Sequence, residues 1–270
     1  MKELTIFTLD MDLGLPERSK KLHKMCYNSW NKLIDHLKSF DIDAKLVIYT
    51  NSDYEFQEFY SDFSSRTGYN FDNLKLSHIA DGFRLHILAT KPHHLWLDWD
   101  KYVLDDIYSL EFDYDKKILR RSFSYLYNAD NLEFFSMIYN YIIDNHLSTL
   151  CDTKLVQLFL DNGVISEEDV NRENSFLFHL FWIDNNKPSN WVFSDVLDKE
   201  NKDYRDLVYW NIMGRTYRKP NDFVFITKER DEYKITKVIY QEKEIVKFIL
   251  DNYDLTEEQQ LVLNGWLNSE

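Results

Sequence analysis

Leu4-Thr5-Ile6-Phe7-Thr8-Leu9, closed by Asp10-Met11-Asp12, is the stretch whose reading decides the fold. An uncharged run of apolar and β-branched residues, cut off by carboxylates, reads as a buried strand. Leu22, Cys26, Trp30, Leu33, Ile34 and Leu37 follow at helical spacing and predict a helix from about Glu17 to Phe40. Lys45 to Thr50, carrying Leu46-Val47-Ile48-Tyr49, predicts a second buried strand, and Asn51-Ser52-Asp53 caps a helix running to about Ser64. Strand, helix, strand, helix is the order of an α/β domain built on a largely parallel sheet.

Further along, Ala80 to Thr90 predicts a helix that stops at Lys91-Pro92, because the residue before a proline resists helix. Leu95-Trp96-Leu97 then reads as a buried strand ended by Asp98-Trp99-Asp100, after which Tyr102-Val103-Leu104 resumes apolar chain. Helical spacing returns at Leu132, Phe135, Ile138, Tyr139 and Ile142, and at Leu155, Val156 and Phe159. Residues 176–183 read as a buried strand, and Asp222 to Tyr240 as a hairpin turning around Arg230-Asp231. Residues 241–252 and 256–267 read as two short amphipathic helices. Glycine and proline are scarce and no repeat or low-complexity linker interrupts the chain. The simplest division is therefore an α/β domain over 1–220, with a hairpin and helices over 221–270 packed on it as one compact unit.

A chain of 270 residues that is 44% hydrophobic and 16% aromatic has the means to build a core, which excludes a disordered chain. Acidic side chains outnumber basic ones 46 to 32, for a net charge of −14, so general nucleic-acid binding is not expected. Cys26 and Cys151 form no Cys-x-x-Cys and suggest no disulfide framework. No apolar run approaches the roughly 20 residues of a membrane span, and the N-terminus turns acidic before a signal-length run develops. The expectation is a cytoplasmic protein.

Asp-x-Asp occurs at Asp10/Asp12, Asp41/Asp43, Asp98/Asp100 and Asp113/Asp115. The second and fourth pairs lie in polar, turn-like sequence and read as solvated. Asp10/Asp12 and Asp98/Asp100 each close a buried strand, the place where open α/β sheets bind ligands. Two carboxylates there are oxygen ligands suited to Mg²⁺ or Mn²⁺, with a nucleoside diphosphate completing the shell. Asp81 and Arg84 are three residues apart and share a helix face upstream of Asp98.

The ordered series Ala80-Asp81-Gly82-Phe83-Arg84-Leu85-His86-Ile87-Leu88, a short turn, then Trp96-Leu97-Asp98-Trp99-Asp100 resembles the glycosyltransferases with a DXD sugar-binding region. These include bacterial toxin glucosyltransferases and initiating mannosyltransferases. Ser29-Trp30 resembles the Ser-Trp of their first helix, and His179 with Ser189-Asn190-Trp191 resembles their C-terminal His and Ser-Trp, here with Asn190 inserted. The resemblance spans about residues 4–191, and residues 80–100 carry its specific part. Pro92-His93-His94 departs from the family's Gly-Gly, and Trp96 stands in place of a tyrosine.

The resemblance implies a GT-A-like, Rossmann-type mostly parallel sheet flanked by helices, a Mn²⁺ or Mg²⁺ requirement, and a nucleotide-sugar donor, first of all a UDP-sugar. It implies a retaining transfer to an acceptor that is a polysaccharide, a lipid-linked sugar, a protein or a modified DNA base. Asp98 and Asp100 would hold the metal and serve catalysis, His179 would reach the metal, and Asp81 and Arg84 would hydrogen-bond donor hydroxyls. Trp96 would pack beside the nucleotide, and the basic cluster Arg215, Arg218 and Lys219 would meet the diphosphate.

Plainer readings stand beside each of these. The carboxylate pair could cap a strand end, Asp81 and Arg84 could be an ion pair within a helix, and Trp96 and His179 could belong to the core. Arg215, Arg218 and Lys219 could be a solvated surface, and His93-His94 a turn. A phosphatase of the haloacid-dehalogenase type would use Asp10 as nucleophile and Asp12 as acid/base, but Gly14 stands where that family has Thr or Val. A non-catalytic sugar- or protein-binding α/β module is the third reading. P-loop, Gly-x-Gly-x-x-Gly, His-Glu-x-x-His and Gly-x-Ser-x-Gly patterns are absent.

Overall fold

The uncharged run Leu4 to Leu9 reads as a buried strand, and in the computed structural model every residue from Leu4 to Leu9 is buried. The structure describes residues 2–11, 14–70, 74–109, 111–115, 125–144, 157, 160–161, 177–180, 183, 191–195, 223–229, 232–236 and 242–268. Chain contacts divide these into two compact units, one of residues 1–16 and 23–177, the other of residues 17–22 and 178–270.

In the first unit β1 (Lys2–Leu9) leads into α1 (Glu17–Lys38), which belongs to this unit from His23 on, and then β2 (Ile42–Tyr49), α2 (Tyr54–Thr67) and α3 (Leu76–Thr90). β3 (His94–Leu97), β4 (Lys101–Val103), a 3-10 turn (Asp105–Ser109), β5 (Tyr125–Tyr127) and α4 (Leu132–Asp144) follow. The four-stranded sheet has the order β2-β1-β3-β5. β1 is parallel to β2 and to β3, while β5 runs antiparallel to β3. The architecture is therefore α/β with a mixed sheet flanked by helices, and the antiparallel β5 is the departure from the parallel sheet read from sequence.

Side chains alternate across this sheet as the period of two requires. Leu4, Ile6, Leu95, Leu97, Tyr125 and Tyr127 face Trp30, Leu33 and Leu37 of α1. Phe7, Leu9, Trp96 and Leu126 face the other way, toward Phe59 of α2, Phe83 and Ile87 of α3, and Phe135 and Ile138 of α4. The chain crosses outward from β1 to β2 through α1, then back over β1 to β3 through α2 and α3. Crossovers of one hand running in opposite directions put their helices on opposite faces. β1 and β3 therefore lie side by side with their connections departing in opposite directions, which makes the crevice at their carboxyl ends a topological switch point.

Several local expectations are corrected. Asp43, read as turn-like, lies within β2 opposite Glu3, although it is exposed as expected. α3 begins at Leu76, a turn before Ala80. His93 does occupy a turn, with φ 52°, but His94 opens β3. Over 176–183 the described strand is only β6 (Leu177–His179), with Leu180 already in a turn, so the run is not a single strand.

In the second unit β7 (Trp191–Asp195) pairs antiparallel with β8 (Phe223–Glu229), and β8 with β9 (Glu232–Thr236). The β8–β9 pair is the expected hairpin, with Glu229 opposite Glu232, while the turn expected around Arg230-Asp231 lies outside the described residues. β7 was not legible as a strand. α5 (Lys243–Asn252) and α6 (Glu257–Asn268) are the two terminal helices, burying Ile245, Val246, Ile249, Leu263 and Trp266.

Candidate functional site

Asp10 follows the last residue of β1 and Asp98 the last residue of β3, so the two strand-closing carboxylates stand at adjacent strand ends. After Asp98 the chain turns through Trp99 and Asp100, with the amide of Lys101 donating to the Asp98 carbonyl at 3.1 Å. α1 fixes the far side of this turn. The Trp30 indole donates to the Lys101 carbonyl at 2.7 Å, and the Ser29 hydroxyl accepts from the amide of Val103 at 2.9 Å. Ser29-Trp30 thus hold the carboxylate-bearing turn from below.

Asp98 is held from two sides. The Trp96 indole N–H donates to Asp98 Oδ1. Arg84, 3% exposed on α3, places Nη2 on Asp81 Oδ1 and Nη1 at 3.9 Å from Asp98 Oδ1. Arg84 therefore bridges the two aspartates that the sequence separates by seventeen positions. Burial pushes the Asp98 carboxyl above its usual pKa, the Arg84 guanidinium opposes the rise, and Asp100 adds to it. The side chain keeps 29% exposure. Lys101 Nζ lies 3.7 Å from Asp100 Oδ1.

Two carboxylates held in one turn, with Asp100 raising the cost of ionising Asp98, are an arrangement that a divalent cation would relieve. Mg²⁺ and Mn²⁺ bind through one or two carboxylates with the remaining positions taken by phosphate oxygens and water. Among the described residues no three His, Cys, Asp or Glu side chains converge to form a complete protein cage. Asp98 and Asp100 fit such a mixed shell, and Asp81 would lie beside it.

Trp96 takes the core position of its two alternatives. It is 1% exposed, edge-on to Phe7 with ring centroids 5.3 Å apart, and the Arg84 guanidinium lies 5.8 Å from its ring centre. Its contribution to the site is the hydrogen bond to Asp98. Of His179 only the strand backbone is described. Asp12, Arg215, Arg218 and Lys219 lie outside the described residues.

A cavity of about 220 Å³ opens beside this turn, lined by Leu9, Asp10 and Met11 from the end of β1, Leu76, Ser77 and Ala80 from the start of α3, and Leu15, His23 and Trp99. Asp10 Oδ2 accepts from the Tyr27 hydroxyl at 3.1 Å and lies 3.9 Å from His23 Nδ1. The His23 ring is edge-on to Trp99, with centroids 4.7 Å apart. Burial lowers the His23 pKa, against the pull of Asp10 and Asp100, so the imidazole is neutral at pH 7. The same burial, with Asp10, raises the Tyr27 pKa far above its usual value and keeps the phenol a donor.

Sequence reading missed His23, Tyr27 and Trp99. Their signal was weak: His23 and Tyr27 sit at i and i+4 on α1 beside its apolar stripe, and Trp99 was read only as the residue between two carboxylates. No protein-family model, no characterised protein and no solved structure matches this chain.

Proposed function

We propose that this chain is a metal-dependent glycosyltransferase with a GT-A-like fold, moving a sugar from a nucleotide-sugar donor to an acceptor with retention of configuration. The observation that carries the reading is the Arg84 bridge. Asp81, Arg84 and Asp98, the residues of the resembling motif, meet at the carboxyl end of β3, beside a crevice of the kind that binds nucleotides in α/β sheets.

In this reading Asp98 and Asp100 hold Mn²⁺ or Mg²⁺. A bound cation would neutralise the charge that develops on the departing nucleoside diphosphate. Asp81, with a side chain 21% exposed, faces a donor hydroxyl. Arg84 is too deeply buried to meet the sugar broadside and acts as a positioning residue for both carboxylates. Trp96 orients Asp98 through its indole N–H. Lys101 supplies a cation next to Asp100, and a developing diphosphate would draw on it.

The reading is tested by nucleoside-diphosphate release from a panel of UDP-, GDP- and other nucleotide sugars, with Mn²⁺ and with EDTA. Release from one donor, abolished by EDTA and lowered at least a hundredfold by Asp98→Asn and by Asp100→Asn, supports it. Release that survives EDTA and both substitutions overturns it, as does a folded protein that neither binds nor turns over any donor.

A further inference from the structure

The cavity beside Trp99 has a chemistry of its own. Most of its lining is apolar: Leu9, Met11, Leu15, Leu76 and Ala80. The Trp99 and His23 rings add aromatic wall. Among the described residues one carboxylate, Asp10, faces into it. Asp10 Oδ2 takes the Tyr27 hydroxyl, while Oδ1 makes no hydrogen bond among the described residues. A carboxylate offers about four lone-pair sites, so one donor leaves both oxygens able to accept. His23 Nδ1 lies 3.9 Å from Asp10 Oδ2, beyond hydrogen-bond distance.

A volume of about 220 Å³ is smaller than the roughly 300–1,000 Å³ that enclose a whole drug-sized ligand, so the cavity holds one ring system. Trp99 is joined by single peptide bonds to both Asp98 and Asp100. A ring seated against Trp99 therefore belongs to a ligand whose next segment lies at the proposed metal carboxylates. A nucleotide has that order: planar base, ribose, diphosphate.

The carboxylate selects among bases. Guanine presents N1–H and the 2-amino group side by side, two adjacent donors that match the two oxygens of one carboxylate. Uracil has a single N3–H flanked by carbonyl oxygens. Adenine and cytosine set a ring-nitrogen acceptor beside their amino group, which would face the carboxylate lone pairs. A site built to bond two donors rejects analogues that lack them, because its own acceptors then lose water without gaining a partner.

We infer that this cavity is a guanine-base site in which Asp10 reads N1–H and the 2-amino group. The inference rests on the nucleotide-sugar reading for its place in catalysis, and it changes the expected donor from a UDP-sugar to a GDP-sugar. Tyr27 acts as the positioning residue that fixes the Asp10 rotamer, and Trp99 as the wall for the base.

Isothermal titration of the full chain with GDP, IDP, UDP, ADP and XDP, each with Mn²⁺, tests it. GDP is expected to bind roughly tenfold or more tighter than UDP and ADP, and IDP, which lacks the 2-amino group, is expected to lose much of that margin. Asp10→Asn keeps the shape but turns one acceptor into a donor. It is expected to weaken GDP at least tenfold and to strengthen XDP, whose 2-carbonyl accepts what the Asn amide donates. A gain for XDP cannot come from misfolding. Equal affinity for all five nucleotides, or unchanged GDP preference in Asp10→Asn, overturns the inference. The two readings fail separately. Asp98-dependent release from a UDP-sugar overturns the guanine site and leaves the transferase. Asp10-dependent GDP binding without release from any sugar supports the guanine site and counts against the transferase.

Discussion

At the scale of single residues, Asn128 shows how one side chain sets the start of the site strand. It is fully buried, its amide donates to the carbonyls of Leu88 at 2.7 Å and Lys91 at 2.6 Å, and its Oδ1 accepts from the amide of His94 at 2.8 Å. The last turn of α3 leaves carbonyls without helical partners, and Asn128 satisfies two of them while tying them to β3. Asn128→Ala strands three backbone groups and is expected to cost about 3 kcal/mol or more, read as a lowered denaturation midpoint. Asn128→Asp is expected to fare no better, since a carboxylate would face two carbonyl oxygens. Trp96→Phe is a gentler change at the same scale. It keeps the packing against Phe7 but removes the N–H from Asp98, so donor turnover should fall while stability changes by roughly 1 kcal/mol.

At the scale of elements, α3 is decided by a close approach. A Cβ on Gly82 would lie 2.9 Å from Phe59 Cζ and 3.0 Å from Cε2 of α2. Phe59 is fully buried among Phe56, Phe63 and Phe83, so its ring has nowhere to swing. Alanine in a helix interior ordinarily gains about 1 kcal/mol over glycine. Overpacking costs roughly 1–3 kcal/mol, so Gly82→Ala is expected to be a net loss despite its propensity. Chemical denaturation checks this, and Phe59→Leu in the same chain should recover part of the loss. A net gain from Gly82→Ala alone would mean that α2 and α3 can part. The pairing of α1 with β4 is tested the same way. Ser29→Ala leaves the amide of Val103 buried without its acceptor and is expected to cost about 1–3 kcal/mol. It should lower turnover through the displaced turn at Asp98-Trp99-Asp100.

At the scale of the whole molecule, the charge of −14 sets the response to solution conditions. Self-repulsion destabilises a compact state and is screened by salt, the Debye length falling from about 30 Å at 0.01 M to about 8 Å at 0.15 M. The thermal midpoint should therefore rise with sodium chloride over that range. A fall would mean that ion pairs such as Lys91–Glu55 at 2.7 Å and Arg66–Asp144 at 2.8 Å outweigh the net charge. Acid acts through the buried His23 and His86 and the half-buried His94. Burial lowers the pKa of His23, of His86 and of His94, the last to about 4. Below the ordinary histidine value of about 6.5 these three histidines bind more protons in the unfolded chain than in the native one, and together they outweigh Asp98, whose raised carboxyl acts the other way. Stability is thus expected to fall as pH drops from 6.5 toward 4, and His94→Gln should flatten that slope in denaturation curves taken across the range.

The sequence by itself determined where the strands end and what ends them. Uncharged runs such as Leu4–Leu9 and Leu95–Leu97 are local signals, and so is the carboxylate that closes each. The order from Ala80 to Asp100 was equally legible, because Asp81 and Arg84 meet by helical spacing alone. What only the tertiary structure decided is which strand ends are neighbours. β1 lies beside β3 because the chain crosses outward and then back, and that crossover brings Asp10 next to the Asp98 turn. The same step carries His23 and Tyr27 of α1 to Asp10, a contact no local pattern encodes. Whether Trp96 meets ligand or core depends on which helices cover its face of the sheet. The three residues of β5 are too few to carry a direction, and β7 exists through its pairing with β8. Periodicity is a property of neighbours along the chain, whereas a site at a switch point is a property of neighbours across the sheet.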